Sequence, residues 1–243
     1  MYSEVFCKVY DAFGWNYYPE IFGQQLLVWL RERQLSPGSA LDLACGTGVL
    51  CRLLRDQGME VWGMDLSRGM IGIARENDPA GHYDVADMIT YRPGRTFDLV
   101  TCTGDAVNHI PALSDVAKIF RNVCDALAPG GWFVFDLLDE GEVSDSEPFE
   151  MDFTDTVKVW FQMTRPTPRS VDLCVRVFER GELALEEHIR ETLHDPAIIC
   201  DLLRDAGFRV DKCAHRLPDS GERDGTTWFL AAQKPLDGSV EDI

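Results

Sequence analysis

The sequence predicts an α/β fold, in which a mostly parallel sheet carries helices on both faces and a small antiparallel β insertion lies between the fifth strand and the last helix. Two patterns predict it. Between residues 40 and 138, short apolar runs alternate with segments of helical period, which is typical of parallel strands joined by right-handed crossovers. Between residues 157 and 193 the apolar positions recur at every second residue, which is typical of antiparallel strands.

Composition limits the classes of protein to which this chain can belong. Its 243 residues suffice for one large domain with an insertion. No apolar run reaches the roughly 18 residues that cross a bilayer, and the first residues lack the pattern of a signal peptide, so a cytoplasmic protein is expected. The formal charge of -18 argues against binding to nucleic acid or to an anionic membrane. The cysteines form no C-x-x-C pair, so no metal site is expected.

The first 36 residues form a predicted N-terminal unit, in which an aromatic-rich stretch at 1–18 precedes an amphipathic helix at about 20–34. Two interpretations of the aromatic stretch are open. It is either a lid whose rings close over a ligand or an arm that its rings attach to the core.

The stretch 41–48 predicts a buried strand that enters a glycine turn and then a helix. Gly46 and Gly48 allow a ligand to approach the bare main chain, and the free N–H groups of the following helix point at the same place. Asp42 lies within the otherwise apolar strand, so it needs a partner such as turn N–H groups or a bound ligand. This turn is therefore the predicted centre of a nucleotide-type site.

Two further strands end in carboxylates. The second strand ends at Asp65, and an acidic residue there suits a ribose, because one carboxylate accepts from both hydroxyls of the diol. The third strand is followed by Asp87 and Met88, which suit an adenine ring through a carboxylate, a main-chain N–H and a soft side chain. Together with the glycine turn, these carboxylates favour an adenosyl ligand.

The fourth predicted strand, 97–102, runs into a polar loop at 103–110. Ligands lie beyond the carboxyl ends of the strands in open α/β sheets, so this loop should face the same cleft. His109 is the candidate base, since its type of side chain titrates near neutral pH, with Asp105 and Asn108 to orient an acceptor. The alternative is that Asp105 and Asn108 cap the turn and His109 packs beneath it.

The remaining segments complete the predicted organisation. A fifth strand at 132–138 is followed by the antiparallel insertion, a last helix at about 196–206 and two more strands near 208–214 and 226–232. The predicted units are thus 1–36, the sheet domain formed by 37–140 and 195–235, and the insertion 141–194.

Four blocks in this order resemble the class I S-adenosylmethionine-dependent methyltransferases. They are the stretch 41–48, Gly63-Met64-Asp65-Leu66-Ser67 with Met70, Ala86-Asp87-Met88, and Phe97-Asp98-Leu99-Val100 leading to the polar loop. The resemblance covers residues 37–138 well and 195–232 loosely. It is closest to small bacterial members with an N-terminal aromatic cap and an antiparallel sheet over the site. Ala44 departs from the pattern, because many relatives have glycine there.

The resemblance implies a Rossmann-like seven-stranded sheet that binds S-adenosyl-L-methionine and releases S-adenosyl-L-homocysteine. The residues implied for the methionine part of the cofactor are Asp42, Ala44, Gly46 and Gly48, with Cys102, Thr103 and Gly104 at the sulfonium end. Asp65 is implied for the ribose, with Leu66 and Met70 in the same block, and Asp87 and Met88 for the adenine. Tyr10 and Tyr18 are implied as lid residues at the cofactor carboxylate.

The implied function is transfer of a methyl group to N or O of a small-molecule acceptor by in-line displacement, in an enzyme that is a monomer or homodimer. A dinucleotide site fits less well, because Cys51 occupies the position where such a site requires a third glycine. Two alternatives are open. The chain either binds S-adenosylmethionine as a non-catalytic regulatory module or uses an adenosyl cofactor for another transfer.

Overall fold

The structure is a computed structural model that describes residues 2–215 and 227–236. Its strands are β1 Ser39–Leu43, β2 Glu60–Asp65, β3 His82–Val85, β4 Phe97–Cys102, β5 Leu127–Leu138, β6 Phe149–Asp152, β7 Val157–Thr167, β8 Ser170–Glu179, β9 Glu182–Thr192, β10 Arg209–His215 and β11 Thr227–Gln233. Its helices are α1 Glu4–Tyr10, α2 Tyr17–Glu32, α3 Val49–Asp56, α4 Arg68–Asn77, α5 Leu113–Ala126 and α6 Pro196–Asp205, with single 3-10 turns at Ala106–His109 and Glu140–Glu142. The predicted last strand included Thr226, which lies outside the described residues.

Seven strands form the main sheet, in the order β10-β11-β5-β4-β1-β2-β3. Strands β1 to β5 pair in parallel, whereas β11 is antiparallel to both β5 and β10. The predicted mostly parallel, seven-stranded α/β sheet is confirmed. Because β1 and β4 are neighbours although β2 and β3 lie between them in sequence, the chain changes direction across the sheet there, and a cleft opens at their carboxyl ends.

Both faces of the main sheet are covered by helices, as predicted. On one face, Leu41, Val100 and Phe133 pack in a single cluster with side chains of α5 and α6. On the other face, Ala40 and Val134 pack with side chains of α2, α3 and α4. Consecutive residues of one strand join opposite clusters because side chains alternate across a strand.

Local sequence signals fix where the helices begin and end. Helix α4 begins after Ser67, whose hydroxyl accepts from the Met70 N–H, and α6 begins after Asp195, which caps the Ala197 N–H. Gly58 lies just beyond the end of α3 with φ +89°, the left-handed conformation that commonly ends a helix. In the described residues, no helix is long and apolar enough to span a membrane.

The insertion between β5 and α6 is a separate antiparallel sheet of order β6-β7-β8-β9. The predicted period-two pattern corresponds to β7, β8 and β9. Strand β6 is added to it by pairing with β7, with Phe149 opposite Phe161. Strand β6 was not predicted from the sequence. Its residues are acidic and largely exposed, and an edge strand with little burial has no clear apolar alternation.

The N-terminal residues pack against one face of this insertion. Phe6 of α1 is buried in a cluster with Val159, Val175 and Ile189, and the rings of Tyr2, Tyr10, Phe13 and Trp15 surround it. The two predicted roles of these aromatics, an arm held by its rings and a cover over the cleft, are compatible with this packing.

Candidate active site

A cavity of about 760 Å³ lies at the carboxyl ends of β1, β2 and β4, between the main sheet, α1 and strand β9. This volume is in the range of small-molecule sites. The predicted site residues that line it are Tyr10, Ala44, Gly46, Asp65, Leu66, Met70, Asp87, Met88, Thr103, Gly104 and His109. Those that lie outside its lining are Tyr18, Asp42, Gly48, Cys102, Asp105 and Asn108.

The glycine turn has the left-handed backbone that its sequence predicts. Ala44, Gly46 and Gly48 have φ values of +54°, +54° and +80°. A Cβ at Gly48 would lie 2.8 Å from the Tyr83 hydroxyl, so this glycine is required by packing beneath the turn. A Cβ at Gly46 would meet nothing within 4 Å, so the main chain there is open to a ligand.

Asp42 lies fully buried beneath the turn. Its carboxylate accepts from the Thr101 hydroxyl at 2.7 Å and from the Cys51 thiol at 3.6 Å. Burial raises its pKa to about 7, against these hydrogen bonds, which lower it. The hydrogen-bond partners that a buried aspartate needs are thus the side chains of Thr101 and Cys51 in the core.

Asp65 stands at the end of β2 and joins the turn to α4. Its two carboxylate oxygens accept from the Gly46 N–H at 3.0 Å and the Ser67 N–H at 2.7 Å. Burial raises the pKa of this carboxyl. Asp87 makes a similar local bond, because its Oδ1 accepts from the Ile89 N–H at 2.8 Å. Both carboxylates therefore face the cavity from fixed positions.

A residue that sequence reasoning missed, Asp136 of β5, fixes the loop after β4. It accepts from the Thr103 hydroxyl at 3.0 Å, the Gly104 N–H at 3.1 Å and the Asp105 N–H at 2.9 Å. The loop needs this support, because Gly104 and Asp105 both have positive φ. Burial raises the pKa of Asp136 to about 7. Asp136 could have been found from the sequence, because it is an aspartate within an apolar strand. The same feature drew attention to Asp42.

Asn108 is committed to main-chain contacts. Its amide nitrogen donates to the Thr192 carbonyl at 2.8 Å, and its amide oxygen accepts from the Leu138 N–H at 3.1 Å. It therefore joins the loop to the ends of β5 and β9. Cys102 is fully buried in the main sheet.

His109 faces two carboxylates. Its Nε2 lies 4.0 Å from Asp105 Oδ1 and 3.8 Å from Oε1 of Glu191, a residue of β9 that the sequence did not indicate. Burial lowers the pKa of His109. Burial also raises the pKa of Asp105 to about 6. Burial and the charge of Asp105 together raise the pKa of Glu191 to about 9. In the described part of the chain, these three side chains are the group whose spacing and atom types could hold a metal ion.

The N-terminal segment closes one side of the cavity through hydrogen bonds to both sheets. The Ser3 hydroxyl donates to Glu187 of β9 at 2.6 Å, and Asp11 accepts from the Thr47 hydroxyl of the glycine turn at 2.7 Å. Tyr2 lines the cavity beside Tyr10, with its ring perpendicular to that of His109. Tyr18 is 48% exposed and packs edge-on against Tyr17.

Comparison with known proteins gives consistent matches. A family model described as a methyltransferase domain matches residues 15–212. An N,N-dimethyltransferase of dTDP-3-amino-3,6-dideoxy-alpha-D-glucopyranose from Streptomyces fradiae is 30% identical over 129 residues, which are 53% of this chain and 50% of that protein. A ubiquinone biosynthesis O-methyltransferase from Bordetella bronchiseptica is 35% identical over 128 residues, 49% of this chain and 51% of that protein.

Among solved structures, the amino pentose methyltransferase CalS10 from Micromonospora echinaspora, solved with S-adenosylmethionine bound, superposes with a TM-score of 0.75. The match covers 96% of this chain and 98% of that one at 21% identity, so it shows a shared fold. The chain spans about half the length of the curated relatives that it matches here.

Proposed function

The chain belongs to the class I S-adenosylmethionine-dependent methyltransferases, and we propose that it transfers a methyl group to N or O of a small molecule. The observation that carries this proposal is the cavity itself. There the open main chain of the glycine turn and the carboxylates of Asp65 and Asp87 face the loop that carries His109. The name of the S. fradiae relative states N-methylation of an amino sugar and that of the B. bronchiseptica relative states O-methylation, so relatives support both acceptor types.

The size and the charge of the lining support S-adenosylmethionine as the cofactor. The turn is open at Gly46, and a cavity of about 760 Å³ is large enough for the cofactor and a small acceptor. Asp65 and Asp87 suit the ribose and the adenine, and acidic groups suit the positive charges of a sulfonium and an α-amino group. Ala44 and Gly46 would hold the methionine part, with Thr103 and Gly104 beside the sulfonium and Tyr10 near its carboxylate.

Once bound, this cofactor supplies an electrophilic methyl group on a positively charged sulfur. The chain's own contribution is to orient the acceptor in line with that methyl group, to exclude water and to accept a proton. His109 is the proposed proton acceptor, because burial keeps its imidazole neutral. Asp136 acts indirectly, since it holds the loop from which His109 projects.

The test is formation of S-adenosylhomocysteine from S-adenosylmethionine with a panel of amines, phenols and carboxylic acids. We expect turnover with at least one acceptor class, and a higher KM for S-adenosylmethionine in a variant without the Asp65 carboxylate. Tight cofactor binding without turnover on any acceptor would favour the regulatory alternative. Transfer of a group other than methyl, detected by the mass added to the acceptor, would favour the other transferase alternative.

The division into an N-terminal unit 1–36, a cofactor-binding domain 37–140 with 195–235, and an insertion 141–194 is part of the same proposal. In it the cofactor-binding domain holds the methyl donor, and the other two units enclose the acceptor.

A further inference from the structure

The charged side chains around the cavity are predominantly acidic. The lining includes Asp65, Asp87, Glu186 and Glu187. Among the described lining residues, the one lysine or arginine is Arg190, which is 79% exposed and lies 3.9 Å from Asp172. Burial and neighbouring carboxylates also raise the pKa of Tyr2. A cavity with this charge favours cationic ligands.

Two further carboxyl groups, those of Asp105 and Glu191, belong to residues that lie next to the lining in sequence. Asp105 directly follows the lining residue Gly104, and Glu191 directly follows the lining residue Arg190. Their side chains are 30% and 13% exposed, and neither pairs with a lysine or arginine of the described residues. They therefore form a pair of neighbouring carboxyl groups that no lysine or arginine of the described residues compensates. Burial raises the pKa of each, and the charge of Asp105 adds to the rise at Glu191.

The third member of this group is a nitrogen. His109 Nε2, Asp105 Oδ1 and Glu191 Oε1 all lie within 4.8 Å of one another. With His109 neutral, each of these atoms can offer a lone pair to a shared partner. We propose that the acceptor is a primary amine, bound as its ammonium ion by Asp105, His109 and Glu191, an inference that rests on the methyltransferase function proposed above.

The spacing of the three atoms can be compared with the spacing of ligands around an ammonium ion and around a metal ion. Three acceptors around one ammonium nitrogen, each at about 2.8 Å, lie about 4.6 Å from one another in tetrahedral geometry. Three ligands at about 2.1 Å from a metal lie only about 3.0 to 3.4 Å apart. Nε2 is 4.0 Å from Asp105 and 3.8 Å from Glu191, and the limit for the group is 4.8 Å. These separations lie between the two expected values. The absence of a lysine or arginine partner in the described residues, and not the spacing, therefore favours an ammonium ion.

The proton and electron balance is complete with these residues. The ammonium ion gives one proton to His109 Nε2, and the freed lone pair on nitrogen forms the bond to the methyl carbon. The electron pair of the broken carbon–sulfur bond stays on sulfur, which becomes a neutral thioether. Asp105 and Glu191 then stabilise the imidazolium, and the methylated amine leaves with a positive charge.

The experiment measures binding, so it does not depend on finding the natural acceptor. The probes are cyclohexylamine and cyclohexanol, which differ in the reacting group. Calorimetry at pH 8 gives their affinities for the protein saturated with S-adenosylhomocysteine. We expect the amine to bind about 10- to 100-fold more tightly than the alcohol, because hydrogen bonds to charged groups are the stronger ones.

Variants then assign the preference to these residues. Glu191→Gln and Asp105→Asn should each lower the amine affinity about tenfold or more and leave the alcohol affinity unchanged. Glu182→Gln is the matched control, since it makes the same substitution at an exposed position of β9. Differential scanning calorimetry shows whether each variant is folded before its affinities are compared.

Three results would overturn the inference. They are an alcohol that binds as tightly as the amine, an amine preference that both variants retain, and Mn²⁺ that binds to the wild type but not to Glu191→Gln. The last result would assign a metal to the group. Failure of S-adenosylhomocysteine to bind at all would overturn the proposed function itself, whereas cofactor binding without an amine preference would overturn this inference alone.

Discussion

The Thr47 hydroxyl donates to the Asp11 carboxylate at 2.7 Å, which joins the glycine turn to the residue that ends helix α1. The N-terminal segment is thereby attached to the residues proposed to hold the methionine part of the cofactor. Since the same segment is bound to β9 through Ser3 and Glu187, it spans the opening between the two sheets.

Asp11→Ala should speed release of the cofactor. Loss of a hydrogen bond to a charged group at a partly exposed site should raise the dissociation rate of S-adenosylhomocysteine about 3- to 10-fold. Stopped-flow displacement measures that rate. Glu4→Gln, at an exposed position in the first turn of α1, is the control and should leave it unchanged. Equal rates in Asp11→Ala and wild type would mean that the segment does not gate the cavity.

Asp65→Ala should weaken cofactor binding by about 1 to 3 kcal/mol, because ribose hydroxyls would lose a charged acceptor. Asp65→Asn keeps one oxygen for the Gly46 or Ser67 N–H and should show a smaller loss. Titration calorimetry with S-adenosylhomocysteine measures both affinities. An unchanged affinity in Asp65→Ala would show that the ribose lies elsewhere.

Replacing His109 should change the pH dependence of catalysis. Burial holds the pKa of His109 below its usual 6.5, so kcat/KM should rise with pH through a value below 6.5 and then level off. The groups that face its ring are Asp65, Asp105, Glu191 and Tyr2. Asp105→Asn removes a negative charge beside the imidazole, so the rise of kcat/KM with pH should move to lower pH. His109→Asn should lower kcat about 100-fold. Unaltered turnover in His109→Asn from pH 5 to 8 would exclude it as the base.

Asp42→Asn should flatten the dependence of stability on pH. The pKa of Asp42 is raised from 3.8 to about 7, so the folded protein keeps a proton that the unfolded chain releases. Its contribution to stability is therefore fully present below about pH 4 and is lost as the pH rises to about 7. Between those limits, the variant should lose less free energy of unfolding than the wild type, by an amount on the order of 3 kcal/mol.

Urea unfolding at pH 4.5 and pH 7.5 measures that difference. The matched control is Asp56→Asn, at the exposed end of α3. Equal slopes for wild type and Asp42→Asn would show that Asp42 is ionised in the fold throughout this range.

Gly63→Ala should destabilise the protein by about 1 to 3 kcal/mol through overpacking. The added Cβ would lie 2.8 Å from Cys45 Sγ, 2.9 Å from Cys51 Sγ and 2.9 Å from the Tyr83 ring. Gly72→Ala is the matched control on α4, where a Cβ meets nothing within 4 Å, and it should stabilise by about 0.5 to 1 kcal/mol. Chemical denaturation distinguishes the two, and an equal effect of both substitutions would contradict the packing argument.

The turn and strand ends proposed to bind the cofactor could be predicted from sequence because their signals are local. The glycine turn, the aspartate at the end of β2 and the serine cap of α4 each depend on a few neighbouring residues. The structure places Ala44, Gly46, Asp65 and Asp87 on one cavity. Asp42 was placed correctly within a buried strand, but its partners Thr101 and Cys51 could not be predicted. The register of β1 against β4 brings Thr101 to it, and the packing of α3 brings Cys51.

The acceptor half could be predicted only in part. Glu191 and Glu187 lie on β9, and no local pattern there shows that this edge of the insertion meets the loop at His109 and the start of α1. Asn108 was predicted beside the acceptor, yet its amide is used by the main chain of Thr192 and Leu138. Contacts between residues 80 or more positions apart leave little trace in a single sequence, because each residue type there also suits an exposed strand.

Strand β4 and the residue that follows it give hydroxyl groups to buried carboxylates on the two neighbouring strands. Thr101 donates to Asp42 of β1, and Thr103, the residue just beyond the end of β4, donates to Asp136 of β5. The ends of β1, β4 and β5, which form the floor of the cleft, are thereby joined by side-chain hydrogen bonds as well as by main-chain ones. A lineage that adopts a new acceptor would have to leave this floor intact. Substitutions that change the acceptor are therefore expected in the insertion and the N-terminal segment, which line the opposite side of the cavity.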